Sequence, residues 1–231
     1  MVETRAVFFD VDFTLIYPGP AFQGEGYRDF GEKHGLRLDP LRFGAAVTSA
    51  SPILDAVQDV NYNHQLFLDY TAYIITQMGG SGEAVEACAA EIYREWAACQ
   101  YFFLYEDVLE ALRALAARNM KIGLISNSHR CLDSFQSHFE LEGLIDIAIS
   151  SSKHGYMKPH PSIFEAGLKL AGVAPSESVM VGDSLSQDIE GARRVGMRGV
   201  LVRRSASLSD HESAIDGVPV IRSLRELPGL L

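Results

Sequence analysis

Ala6-Val7-Phe8-Phe9-Asp10-Val11-Asp12-Phe13-Thr14-Leu15 starts with four apolar residues and stops abruptly at an acid. A short apolar run of this kind suits a strand buried on both faces, as in parallel sheets. The figure recurs. Lys121-Ile122-Gly123-Leu124-Ile125 ends at Ser126, and Ile145-Asp146-Ile147-Ala148-Ile149 runs into serines. Val179-Met180-Val181-Gly182 ends at Asp183, and Gly199-Val200-Leu201-Val202 ends in Arg203-Arg204, a pair expected to be solvated. Val218-Pro219-Val220-Ile221 reads as a sixth strand, which Pro219 would confine to an edge. Helical stretches alternate with these strands. Residues 106–118 put Val108, Leu109, Leu112, Leu115 and Ala116 on one face. Residues 161–170 begin with a proline and stop near Gly172; residues 187–195 stop at Gly196. This alternation predicts an α/β fold, a doubly wound Rossmann-like parallel sheet.

Residues 17–104 break the rhythm. Helical patterns cover 21–34, 40–50, 64–78 and 82–96, with turn-like Ser49-Ala50-Ser51-Pro52 and Gly79-Gly80-Ser81-Gly82 between them and no convincing strand. This predicts a helical module inserted after the first strand. It carries five basic and eleven acidic residues, so most of the chain's net charge of −10 sits in it. The aromatic run Tyr101-Phe102-Phe103-Leu104-Tyr105 is expected to pack where the module returns to the sheet. Asn61-Tyr62-Asn63-His64 reads equally as a pocket wall or a helix start.

Apolar residues make up 47% of the 231 and charged residues 22%, which excludes a disordered chain. No apolar run approaches the roughly 20 residues of a membrane span, and Met1-Val2-Glu3-Thr4-Arg5 does not begin a signal peptide. The acidic balance argues against nucleic-acid partners. Cys88, Cys99 and Cys131 are odd in number and lack a Cys-x-x-Cys pair, which suits small buried thiols in a reducing cytoplasm.

In an open α/β sheet, ligands bind beyond the carboxyl ends of the strands. Residues ending the strands should therefore converge: Asp10, Asp12, Thr14, Ser126, Asn127, Lys158, Asp183, Ser184 and Asp188. Several carboxylates at one point repel each other unless a cation sits among them. A divalent oxygen-preferring ion, Mg²⁺ above all, answers that need. A lysine and serine hydroxyls opposite it suit the non-bridging oxygens of a phosphoryl group.

Phe9-Asp10-Val11-Asp12-Phe13-Thr14-Leu15 resembles the first motif of the haloacid dehalogenase-like hydrolase superfamily. Ser126-Asn127 resembles its second motif, Lys158-Pro159 its third and Gly182-Asp183-Ser184-Leu185-Ser186-Gln187-Asp188 its fourth, in the family's order. The resemblance implies a catalytic core of residues 1–16 and 105–231 and a helical cap domain of residues 17–104, as in the C1-type, helical-cap phosphatase subgroup. It implies that Asp10 is the nucleophile and a metal ligand. Asp12 would be the general acid/base and lend the metal a backbone carbonyl, and Asp183 would complete the Mg²⁺ site. Thr14, Ser126, Asn127 and Lys158 would serve the phosphoryl group, with Ser184 and Asp188 in support.

The implied activity is a cytoplasmic Mg²⁺-dependent phosphatase, monomer or homodimer, acting on a small phosphate ester through an aspartyl-phosphate. The alternatives are a hydrolytic 2-haloacid dehalogenase, which would lack the acid at position 12, a phosphomutase, and a non-catalytic binding protein. Two residues depart from the family pattern. Phe13 replaces a small or polar residue and is expected to wall the substrate pocket. His160 replaces an Asp, removing an acceptor at the start of the next helix and placing a group that titrates near neutrality by the site.

Overall fold

The computed structural model describes residues 3–55, 61–204 and 214–231. Strand β1 (Ala6–Phe9) leads to a three-residue strand, β2 (Ile16–Pro18). Helices α1 (Gly24–Lys33), α2 (Phe43–Asp55), α3 (His64–Gln77) and α4 (Ala84–Trp96) follow. Strand β3 (Phe102–Leu104), helix α5 (Val108–Ala117), strand β4 (Lys121–Ser126) and helix α6 (Leu132–His138) come next. Then come β5 (Ile147–Ser150), α7 (Ser151–His154), α8 (Pro161–Ala171) and β6 (Ser178–Gly182). A π-helical turn, Leu185–Glu190, runs into α9 (Gly191–Arg194), followed by β7 (Arg198–Val202), β8 (Ala214–Ile215) and β9 (Val218–Ile221). The chain divides into two units, Met1–Tyr17 with Leu104–Leu231, and Pro18–Phe103.

The first unit is built on one sheet in the order β5-β4-β1-β6-β7-β9-β8. All its pairings are parallel except β8 with β9. β1 is central, with Phe9 level with Leu124 of β4 and Val181 of β6. The chain builds outward from β1 through β4 to β5, then returns to the other side of β1 for β6. That reversal is the switch point where open α/β sheets leave a crevice. The core below it is dense. Phe8 is fully buried among Ile125, Ile163, Phe164 and Met180. A side chain on Gly123 would lie 2.4 Å from the Phe8 ring, so a bulky ring in β1 demands a glycine beside it in β4.

The second unit is helical, with α2 against α3, α3 against α4 and α1 against α4. Asn63 caps α3, its side chain accepting from the Gln65 N–H at 3.0 Å, which decides for the helix start. Phe22 centres an aromatic cluster with Phe30, Trp96, Tyr101 and Phe102. Glu91 of α4 ties down the end of α1, bonding Lys33 at 3.1 Å and His34 at 2.7 Å.

Three expectations needed correction. Residues 49–52 are not a turn; α2 runs through them and through Pro52. The hydroxyls of Thr48, Ser49 and Ser51 fold back onto carbonyls of their own helix, and packing against α3 outweighs the local breaker. The stretch from 17 to 104 is not free of strands, because β2 and β3 pair as a two-stranded ribbon. Three residues each are too few to carry a period. β9 is not the edge strand: β7 lies on one side and β8 covers the other, with Pro219 level with Ala214.

Candidate active site

β1 ends at Asp10, whose backbone N–H donates to the Val181 carbonyl at 2.9 Å and so locks the acid beside the end of β6. The Asp10 carboxylate is buried. One oxygen, Oδ1, accepts from Lys158 Nζ at 2.5 Å; the other, Oδ2, accepts from the fully buried Thr14 hydroxyl at 3.3 Å. The same ammonium donates to Asp188 Oδ1 at 2.6 Å. Lys158, rather than the exposed Lys153, is thus the lysine brought to the strand ends.

Asp188 is held within the π-helical turn. Its Oδ2 accepts from the Ser184 N–H at 3.0 Å, and the Ser184 hydroxyl accepts from the Gln187 N–H at 3.2 Å. An α-helical start at Gln187 was expected; the helix begins two residues earlier with a wider pitch, a departure frequent at functional sites. Oxygens of Asp10, Asp183 and Asp188 all lie within 4.8 Å of one another. The third carboxylate of this cluster is Asp188; the Asp12 side chain lies outside it.

Asp12 has its own cation. Arg130 Nη1 lies 2.9 Å from Asp12 Oδ1 and 3.1 Å from Oδ2, with the Arg130 side chain only 1% exposed. Arg130 lies a few residues beyond β4, in a loop with no periodic pattern, and sequence reasoning missed it. The available signal was a basic residue four positions after Ser126.

Ser126 is buried and donates to the Ser128 hydroxyl at 3.1 Å. Asn127 grips Lys158 by its backbone: Oδ1 accepts from the Lys158 N–H at 2.7 Å and Nδ2 donates to the Lys158 carbonyl at 3.0 Å. Nδ2 also donates to Gln187 Oε1 at 3.1 Å, tying the second, third and fourth motifs together.

The electrostatics follow from one ammonium among three carboxylates, those of Asp10 and Asp188 buried and that of Asp183 half-buried. Burial pushes the Asp10 carboxyl well above the usual range; Asp188 and Asp183 push it further, against the pull of Lys158. Burial, then Asp188, push Asp183 up to about 7. Burial would lower Lys158, but Asp10 and Asp188 more than offset it and hold the ammonium firmly charged. The cluster is short of positive charge. A divalent ion that prefers oxygen ligands fits this donor set, because it would relieve the repulsion that the lysine leaves.

Arg203 and Arg204 are half-buried and bonded to protein groups rather than free in solvent. Arg203 donates to the Asp183 carbonyl. Arg204 donates to the Thr14 carbonyl at 2.6 Å and to buried Asp107 at 2.6 Å, with its guanidinium 4.1 Å above the Tyr105 ring. Asp107 also accepts from the Ser223 hydroxyl at 2.6 Å and the Leu224 N–H at 2.7 Å. His160 does not remove the acceptor at the start of α8. Its Nδ1 accepts from the Ser162 N–H at 3.2 Å, so the imidazole itself caps the helix. Phe13 has φ 63°, the left-handed region that favours glycine, and is 44% exposed.

A doubly wound sheet with an inserted helical unit, and a buried acid–lysine cluster at its switch point, define a haloacid dehalogenase-type hydrolase. The model of the haloacid dehalogenase-like hydrolase family matches residues 4–196, and the chain belongs to that family. It is similar to the haloacid dehalogenase-like hydrolase domain-containing protein 3 of Mus musculus, 31% identical over 242 residues that cover 100% of this chain and 93% of that protein. It is also similar to the glyceraldehyde 3-phosphate phosphatase of Methanopyrus kandleri, 29% identical over 224 residues, 93% of this chain and 91% of that protein. The crystal structure of a phosphatase of the family from Thermococcus onnurineus superposes with a TM-score of 0.65 at 25% identity, covering 98% and 97% of the two chains. Among the described residues, no helix is long and apolar enough to cross a membrane.

Proposed function

We propose that this enzyme is a Mg²⁺-dependent phosphatase of a small phosphorylated metabolite, working through an aspartyl-phosphate on Asp10. The observation that carries the reading is the pairing of Lys158 with both Asp10 and Asp188 beside Asp183, with a second acid, Asp12, two residues after Asp10. Similarity to a glyceraldehyde 3-phosphate phosphatase supports phosphate esters as the substrate class.

In this reading Asp10 attacks phosphorus as its bond to the ester oxygen breaks, and Asp12 gives that oxygen a proton. Water then attacks the same phosphorus, Asp12 takes the water's proton, and the Asp10–phosphorus bond breaks. Thr14 and Lys158 fix the direction of the Asp10 carboxylate; Lys158 and Ser126 face the charge of the phosphoryl oxygens; Asn127 sets the lysine's backbone. Asp10 and Asp183, with the Asp12 carbonyl and Asp188 in support, would hold Mg²⁺. When bound, the ion neutralises charge on the transferring group. A 2-haloacid dehalogenase needs no acid at position 12, and the presence of Asp12 favours the phosphatase.

The test is a panel of sugar phosphates, phosphoglycolate, nucleotides and haloacids, assayed with Mg²⁺ and with a chelator. Hydrolysis of one or more phosphate esters, dependent on Mg²⁺ and lost by about 10⁴-fold or more in Asp10→Asn with the fold intact, is expected. Dehalogenation without phosphate release, or near-normal kcat in Asp10→Asn, would overturn the assignment.

A further inference from the structure

The two acids of the first motif are served by different cations. Lys158 reaches Asp10 and Asp188, while Arg130 reaches Asp12. The arginine comes from 118 residues away and is fully buried, whereas the Asp12 side chain remains 17% exposed. Burying a guanidinium is costly unless it is paired, so its placement against this acid is a strong structural commitment. Asp12 follows the end of β1 and its own backbone is tied to Ile16 by an isolated bridge, which fixes the main chain but not the carboxylate plane. That plane is fixed by one guanidinium nitrogen spanning both oxygens. Such a contact leaves further lone pairs on each oxygen free to face a second partner.

We infer that Arg130 is a positioning residue for proton transfer: it aims the Asp12 carboxyl at the oxygen that leaves phosphorus and at the water that follows. The inference rests on the phosphatase reading above. Arg130 arrives on the loop that follows Ser126 and Asn127, so the segment that sets the lysine's backbone also sets the acid's direction. The two halves of the reaction are thereby kept apart. Bond formation depends on Asp10 with Lys158, and proton delivery on Asp12 with Arg130.

This division has a signature that a merely structural arginine would lack. Protonation of the leaving oxygen matters for an alkyl phosphate, whose alkoxide is a poor leaving group, and hardly for p-nitrophenyl phosphate, whose phenolate leaves unaided. Arg130→Met should therefore lose about 10²-fold in kcat/KM, which reports the step that expels the ester oxygen, on an alkyl phosphate, the scale of general acid catalysis. On p-nitrophenyl phosphate the loss in kcat/KM should stay within about threefold, since little acid assistance is at stake there, while kcat should fall with the water step that both esters share. Arg130→Lys should recover part of the loss. In an Asp12→Asn background, Arg130→Met should add almost nothing, because residues that act as a unit are non-additive. Circular dichroism and cooperative melting report whether each variant is folded, and Arg130→Lys carries the leaving-group comparison if Arg130→Met is not. Losses in kcat/KM by one common factor on both esters, or full additivity with Asp12→Asn, would overturn the inference while leaving the phosphatase reading standing. A wild-type enzyme that releases phosphate from neither ester overturns both.

Discussion

The carboxylate of Asp188 fills the space that a side chain on Gly182 would need: a Cβ there would lie 2.2 Å from Asp188 Oδ2 and 2.3 Å from its Cγ. Glycine at the end of β6 thus admits the acid that shares Lys158 with Asp10. Gly182→Ala should push Asp188 away from the lysine and leave a buried ammonium short of one partner. Overpacking of this kind costs about 1–3 kcal/mol, so thermal melting should show a loss of several degrees, and kcat should fall with it. An unchanged melting point together with unchanged activity would show that Asp188 can move without consequence.

Added Mg²⁺ should stabilise the protein. At 100 times its Kd, a ligand bound only by the folded state contributes about 2.7 kcal/mol. Differential scanning fluorimetry over a Mg²⁺ series should show the shift, and Asp183→Asn should abolish most of it. A wild-type shift no larger than that of the variant would remove Asp183 from the metal site.

Without added cation, the charge shortage makes stability depend on pH with a definite sign. Asp183 is raised to about 7 in the folded state, against 3.8 for an ordinary aspartate. Between these values the folded chain holds more protons than the unfolded one, so stability falls as pH rises. Its contribution is fully present below the ordinary carboxylate range and lost through about pH 7. Urea melts from pH 5 to 8 in chelator should therefore show a decline that Asp183→Asn flattens. A slope equal to that of the variant would contradict the electrostatic account.

Asp107 works in the opposite direction. Its burial alone would raise the carboxyl, but Arg204, Ser223 and the Leu224 N–H hold it below its ordinary value. The stability it supplies is present above the unfolded-state pKa and lost as pH falls through the folded one. Removing it in Asp107→Ala leaves the Arg204 guanidinium buried without its carboxylate, at a cost of about 3–5 kcal/mol. Equilibrium unfolding in urea measures it; a change under about 1 kcal/mol would mean that solvent reaches Arg204 freely.

Phe13→Gly should relieve the left-handed backbone at φ 63°, where a β-carbon costs about 1–2 kcal/mol, partly offset by the greater freedom of glycine when unfolded. The melting point should hold or rise. Phe13 is exposed and directly follows Asp12, the acid that serves the leaving oxygen in the proposed reaction. Its removal should re-rank kcat/KM among esters with different leaving groups. A common factor across all substrates would leave Phe13 no part in selection.

What was legible in the sequence is what strands make legible. Four apolar residues ending at Asp10, and a similar run ending at Asp183, announce buried parallel neighbours, and parallel neighbours bring their carboxyl ends together. The helical insertion was legible through its period. Arg130 was not, because a buried arginine in a loop has no periodic mark and its partner is 118 residues away. Arg203 and Arg204 misled because two charges after a strand usually meet water, whereas here carbonyls and an aspartate are waiting. Pro52 misled because a breaker is a local signal and the packing of α2 against α3 is not. At His160, the imidazole nitrogen took the capping role of the missing carboxylate.

The fastening of the Thr14 carbonyl by Arg204 bears on the order in which the protein matures. Thr14 steadies Asp10, Arg204 steadies Thr14, and Asp107 steadies Arg204 while itself accepting from Ser223 and Leu224. During vectorial synthesis the acids of the first motif leave the ribosome before the residues that brace them, and are secured only after Asp107, Arg204 and Ser223 have emerged. A nascent polypeptide carries the Asp10 carboxylate but not its bracing, so in the proposed reaction competence arrives only once β9 and the turn that brings Ser223 and Leu224 have been made.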